Sequence, residues 1–120
     1  MDLVSQKCVP CEGGDPPLTQ KESEELLSEL NKSLHDDKLW EIQVKKGEVD
    51  VLRLRKSFKL DSYMEGIEFV NNVAKVAENE GHHPNLEVGY AKVTAVLWTH
   101  VIGGLSKNDF IMAAKIENLQ

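Results

Sequence analysis

Between Trp40 and Leu60 the apolar side chains fall on every second position. Trp40, Ile42 and Val44 alternate with Glu41, Gln43 and Lys45; beyond a turn at Lys46-Gly47, Leu52, Leu54, Phe58 and Leu60 share one parity while Arg53, Arg55, Ser57 and Lys59 take the other. Successive side chains on a strand point to opposite faces, so this pattern predicts two half-buried strands joined as a hairpin, the second over about 49–59. A hairpin with one apolar face requires another layer to cover it.

The flanking segments supply that layer. Thr19-Gln20-Lys21-Glu22 has the spacing of a capping box, and Leu26, Leu27, Leu30 and Leu34 then keep to one side of a helix running to about Leu34. Asp61 is placed to cap a second helix, in which Tyr63, Ile67, Val70, Ala74 and Ala77 recur at spacings of three and four. That helix is expected to end near Gly81, because glycine takes the left-handed terminal conformation readily and Pro84 disfavours helical geometry at His83. Two short strands fit 86–90 and 92–99, and Ser106-Lys107-Asn108-Asp109 caps a last helix carrying Phe110, Ala113, Ala114 and Ile116. The expected fold is α+β and two-layered: a four-stranded antiparallel sheet with helices packed on one face, in the order α-β-β-α-β-β-α. In the last strand Val93, Ala95 and Leu97 occupy one face and Val96 and Trp98 the other, so a second covering, by a partner subunit or a ligand, is expected there.

The 120 residues suffice for one domain with its own core. Residues 1–17 read as a leader and 18–120 as the domain. The leader holds Cys8-Val9-Pro10-Cys11 among Gly13, Gly14, Pro16 and Pro17. With no other cysteine in the chain, this pair lacks the second half of a zinc knuckle, and it does not open a helix as a redox motif does, so it reads as a tail with two thiols. A net charge of −6 argues against nonspecific attraction to nucleic acid or anionic membranes. No apolar run approaches the roughly 20 residues that span a bilayer, and a cytoplasmic location is the expectation.

Of four histidines, three fall within one short window: Gly81-His82-His83-Pro84, then Thr99-His100 seventeen residues beyond His83. His82 and His83 leave a helix end and His100 leaves a strand end, so the imidazoles can meet at one mouth of the sheet. Groups with an ordinary pKa near about 6.5 supply both proton donors and acceptors at neutral pH. Trp98, with Trp40 as a second candidate, offers a flat apolar wall suited to a planar heterocycle. His35 lies in a polar loop and carries no functional weight, and Asp109 has a sufficient role as capping partner of Ser106. Three readings fit the residues: acid–base catalysis, a three-histidine metal site oriented by Glu78, Glu80 or Asp109, and an interaction module that docks helices.

The ordered series Gly81-His82-His83-Pro84, Tyr90-Ala91-Lys92-Val93, Thr99-His100, Gly104-Leu105-Ser106 and Asn108-Asp109-Phe110-Ile111-Met112-Ala113 resembles the pterin-4a-carbinolamine dehydratase family, also called the dimerisation cofactor of hepatocyte nuclear factor. The likeness runs from about Leu18 to the C-terminus, and the Cys-x-x-Cys leader is similar to leaders of some non-animal members. The resemblance implies dehydration of 4a-hydroxytetrahydropterin to quinonoid dihydropterin, in recycling the pterin of aromatic amino acid hydroxylases, with no metal and no bound redox cofactor. It assigns catalysis to His82, His83 and His100 and substrate contact to Gly81, Pro84, Trp98, Thr99 and Val101, with Asp109 an acidic position nearby. It further implies a homodimer or homotetramer, and a helical protein partner as the alternative function. Leu86, Glu87 and Asn108 depart from the animal pattern at the pocket edge. For the chemistry, His83 is expected as principal acid/base, His100 as its partner at the hydroxyl, and His82 as orienting group or base on the other side.

Overall fold

The computed structural model describes residues 2–10 and 15–120; Cys11, Gly13 and Gly14 of the leader lie outside the described residues. The element order is α1 (Gln20–Asn31), β1 (Glu41–Lys45), β2 (Val51–Lys59), α2 (Tyr63–Glu80), β3 (Asn85–Gly89), β4 (Lys92–Leu97) and α3 (Lys107–Glu117). The four strands form one antiparallel sheet in the order β1-β2-β4-β3, with the three helices on one face.

The period-two pattern sets the register. Ile42 lies opposite Leu54, and Phe58 opposite Val93, so the apolar parities of neighbouring strands coincide. Leu54, Phe58, Val93, Ala95 and Leu97 are buried beneath the helices together with Trp40, Phe69, Val73, Phe110 and Met112. The opposite face of β4 is also closed within a single chain. Thr94 is hydrogen-bonded to Ser57 at 2.8 Å, and Val96 lies between Arg55 and Asn85 on the neighbouring strands. Thr94 and Val96 are thus buried within the single chain, on the face where the two-sided apolar pattern predicts a second covering.

Several boundaries differ from expectation. Helix α1 ends at Asn31, where the Asn31 side chain bonds both backbone groups of Trp40 (2.9 and 3.0 Å) and turns the chain towards β1. Ser62, not Asp61, caps α2 and accepts the Glu65 N–H. The buried stripe of α2 is Gly66, Phe69, Val73 and Ala77 instead of the stripe from Tyr63 to Ala77. Tyr63 and Ala74 are exposed, because the helix lies on the sheet along Gly66, where an added Cβ would already touch Val93 at 3.6 Å. Among the described residues no helix is long and apolar enough to cross a membrane.

The leader docks onto the domain where a tail was expected. Leu3 is buried in the core, and Lys115 donates to the Val4 carbonyl at 2.8 Å.

Candidate active site

Two chain reversals place the histidines. Helix α2 stops at Gly81, which takes a left-handed conformation (φ 67°), and the N–H groups of Gly81 and His82 both bond the Ala77 carbonyl. This wrap satisfies the helix end and directs His82 inward. On the other side, β4 runs out at Leu97, and Thr99 pairs with Gly104 across a short 3-10 turn at His100–Ile102 closed by left-handed Gly103 (φ 73°). A cavity of about 380 Å³ opens between the two reversals, walled by Gly81 to Asn85 on one side and Trp98 to Val101 on the other. Larger depressions, of about 480 and 510 Å³, lie away from the three histidines. Chemistry, not size, selects the site.

The three imidazoles occupy different environments. His82 is the sheltered one, its side chain 13% exposed, and its Nε2 lies 2.6 Å from Oδ1 of Asp109, which is fully buried. Oδ2 of Asp109 accepts the Thr99 hydroxyl and the Ser106 backbone N–H, both at 2.9 Å, and Ser106 Oγ lies 2.8 Å from Thr99 Oγ1. A carboxylate can only accept, so with Asp109 ionised the proton of this bond lies on His82 Nε2. The capping role expected of Asp109 is present, and the same carboxylate also holds His82.

His83 and His100 are exposed. His83 Nε2 meets Glu78 Oε2 at 2.6 Å, a hydrogen bond open to solvent that contributes little to stability. His100 stacks on Trp98 with ring centroids 4.3 Å apart, and the Arg53 guanidinium sits 5.1 Å from the Trp98 ring. Trp40 is not part of the wall. It is 2% exposed, packs edge-on against Phe58 and donates its indole N–H to Glu117, because its parity belongs to the core face. Asn85 lines the cavity and went unnoticed in the sequence; its place directly after Pro84 was the available signal. Among the described residues no group of three or more His, Cys, Asp or Glu side chains is arranged to hold a metal ion.

A second hollow of about 370 Å³ adjoins the first. It shares Gly81, His82, Thr99 and Val101 with it and is closed by Cys8, Val9, Pro10, Glu80 and Asn108. The Cys8 thiol is half-buried there, and burial, reinforced by the Glu80 carboxylate, pushes its pKa up to about 12.

Comparison with known proteins places this geometry in a wider set. Residues 16–119 match the family described as pterin 4 alpha carbinolamine dehydratase. A protein of Rickettsia canadensis (strain McKiel), provisionally named pterin-4-alpha-carbinolamine dehydratase, is 40% identical over 97% of this chain and 95% of its own length. Pterin-4-alpha-carbinolamine dehydratase 2, mitochondrial, of Arabidopsis thaliana is 40% identical over 99% of this chain and 59% of that protein. Among solved structures, the transcriptional coactivator/pterin dehydratase from Brucella melitensis superposes with a TM-score of 0.67 at 26% identity, covering 86% of this chain and 97% of that one.

Proposed function

The chain belongs to the pterin 4 alpha carbinolamine dehydratase family, and from that premise we propose that it dehydrates a pterin-4a-carbinolamine by histidine acid–base catalysis in the cavity around His82, as a step in tetrahydrobiopterin recycling. As a pterin-4-alpha-carbinolamine dehydratase it is an enzyme of the hydro-lyase class. The observation that carries the acid–base reading is the His82–Asp109 pair at 2.6 Å, one imidazole held in one tautomer at the edge of a cavity that two further imidazoles line.

The reaction breaks the C4a–O bond and forms the C4a=N5 double bond. The hydroxyl takes up a proton and leaves as water while N5 releases one as tetrahedral C4a becomes planar, so the step needs an acid at the hydroxyl and a base at N5 and no net proton. His82, with Nε2–H fixed on Asp109, presents Nδ1 as the base for N5–H; the buried carboxylate stabilises the imidazolium that forms. Exposed His83 and His100 exchange protons with solvent and serve the departing hydroxyl, His83 as principal acid and His100 as its partner. Trp98, with the His100 ring tilted against it at 39°, offers the pterin an aromatic wall. Carbinolamines already lose water unaided, so the about 10²- to 10⁴-fold contributed by positioned acid–base groups is a sufficient rate gain.

The test follows the ultraviolet absorbance of enzymatically generated 4a-hydroxytetrahydropterin as it decays. Wild-type protein is expected to accelerate decay, and His82→Ala, His83→Ala and His100→Ala to lose most of that acceleration while remaining folded. Full activity in all three variants overturns the acid–base scheme. The homodimer or homotetramer implied by the family resemblance is proposed on that ground alone, as is a cytoplasmic location. Helix-docking coactivation is the second reading, favoured by the likeness to the Brucella melitensis protein, which is described as a transcriptional coactivator as well as a pterin dehydratase; co-purification with a helical partner, indifferent to the histidines, is its signature.

A further inference from the structure

The N-terminal segment touches the site at two points, one beside His82 at the end of α2 and one beside Asp109 at the start of α3. Cys8 N–H donates to Glu80 Oε1 at 2.9 Å, and Glu80, with a side chain 6% exposed, is the last residue of α2, two positions before His82. Val9 exchanges two hydrogen bonds with the side chain of Asn108, its N–H donating to Oδ1 at 3.0 Å and its carbonyl accepting from Nδ2 at 2.5 Å. Asn108 is 4% exposed and immediately precedes Asp109 in the first turn of α3. The Cys8 thiol adds a contact at 3.6 Å to the Asn108 carbonyl.

The end of α2 and the start of α3 belong to separate helices that pack on one core and are also tied by the Glu80–Lys115 ion pair at 3.8 Å, and the bond between His82 and Asp109 depends on the spacing of those two ends. The geometry points to the Cys8–Pro10 segment as a strap that positions His82 against Asp109, with Asn108 as its anchor and positioning residue. The anchor is a buried amide that satisfies both polar groups of one leader residue, the bidentate pattern that fixes a register. The strap also lines, with His82, the second hollow of about 370 Å³ beside the main cavity. This inference rests on the acid–base reading of His82 for its catalytic consequence, but not for its geometry.

Two variants cut the strap from opposite sides. Asn108→Ala removes the anchor; Val9→Pro, at a side chain 65% exposed, removes the N–H donor and leaves Asn108 in place. Each is expected to lower kcat about 5- to 20-fold with a smaller change in KM, since small displacements of a positioned group are costly in rate. The double variant is expected to be little worse than either single one. In the proton NMR spectrum the Nε2–H of His82, hydrogen-bonded to Asp109 in the wild type, is expected to shift and exchange faster in both. If Asn108→Ala does not fold, Val9→Pro carries the test alone. A lower Tm with kcat and the His82 resonance unchanged overturns the strap, leaving the leader a stabilising element only. If the wild type shows no dehydratase activity while the resonance still responds to both variants, the strap stands and the functional reading falls.

Discussion

Asp109 joins its own helix and its catalytic candidate through a single carboxylate: Oδ2 accepts the N–H of Ser106 at the start of α3, and Oδ1 meets Nε2 of His82, 27 residues earlier in the chain, at 2.6 Å. Asp109→Asn keeps the shape but sets an amide donor or a weaker acceptor against His82 and disturbs its tautomer. We expect kcat to fall about 10²- to 10⁴-fold, the range for a wrong tautomer or a lost acid–base group. Circular dichroism of Asp109→Asn should stay native, and steady-state kinetics checks the loss.

Trp98→Leu removes the ring that stacks on His100. An aromatic pair contributes about 0.5–1.5 kcal/mol beyond burial, so KM is expected to rise about 2- to 10-fold with kcat less affected. Binding of a reduced pterin analogue, measured by calorimetry, separates the two.

Gly81→Ala places a Cβ on a backbone at φ 67°. Nothing crowds the new methyl, so the cost is conformational, about 1–2 kcal/mol. Urea unfolding should show that loss. Activity should fall further than stability explains, because Gly81 aims the His82 backbone at the Ala77 carbonyl.

Lys56 lies on the core-facing side of β2, 7% exposed, bonded to Glu117 and over the Phe58 ring at 4.7 Å. Removing one partner of a buried ion pair costs about 3–5 kcal/mol, so Glu117→Ala is expected to unfold at much lower urea. Lys56→Met combined with Glu117→Gln, which retains an acceptor for the Trp40 indole, should recover most of the stability. A double variant no better than Glu117→Ala refutes this account.

The Cys8 thiol, moved from 9.0 to about 12, stays protonated at neutral pH. In a Cys11→Ser background, alkylation of Cys8 at pH 8 is expected to be about 10²- to 10³-fold slower than in the urea-unfolded chain. The native state holds this proton more tightly than the unfolded one, so the contribution to stability is complete below pH 9 and is lost as pH rises towards 12. Cys8→Ala should flatten that alkaline decline.

The hairpin from Trp40 to Leu60, the capping residues Thr19 and Ser106 and the helix stop at Gly81 were all legible in the chain, because each depends on neighbours within a few positions. The meeting of His82, His83 and His100 at one cavity followed from those local stops, whereas Pro84, Thr99 and Val101, which also line it, came from the family resemblance. The buried stripe of α2 was not legible. Phe69 and Val73, not Tyr63 and Ala74, face inward, because the helix rests on the sheet along the side that holds Gly66 and Ala77. Lys56 likewise occupies an apolar position only because Glu117, 61 residues later, reaches it.

Alternation, caps and turns are short-range and steric, and by themselves they determined an α+β chain whose histidines gather at one end of its sheet. Which imidazole is sheltered, which carboxylate faces it and where the leader docks depend on contacts between residues 27 to 111 positions apart. Those contacts arise only after the helices settle on the sheet and water is excluded, and so the tertiary structure alone decided them.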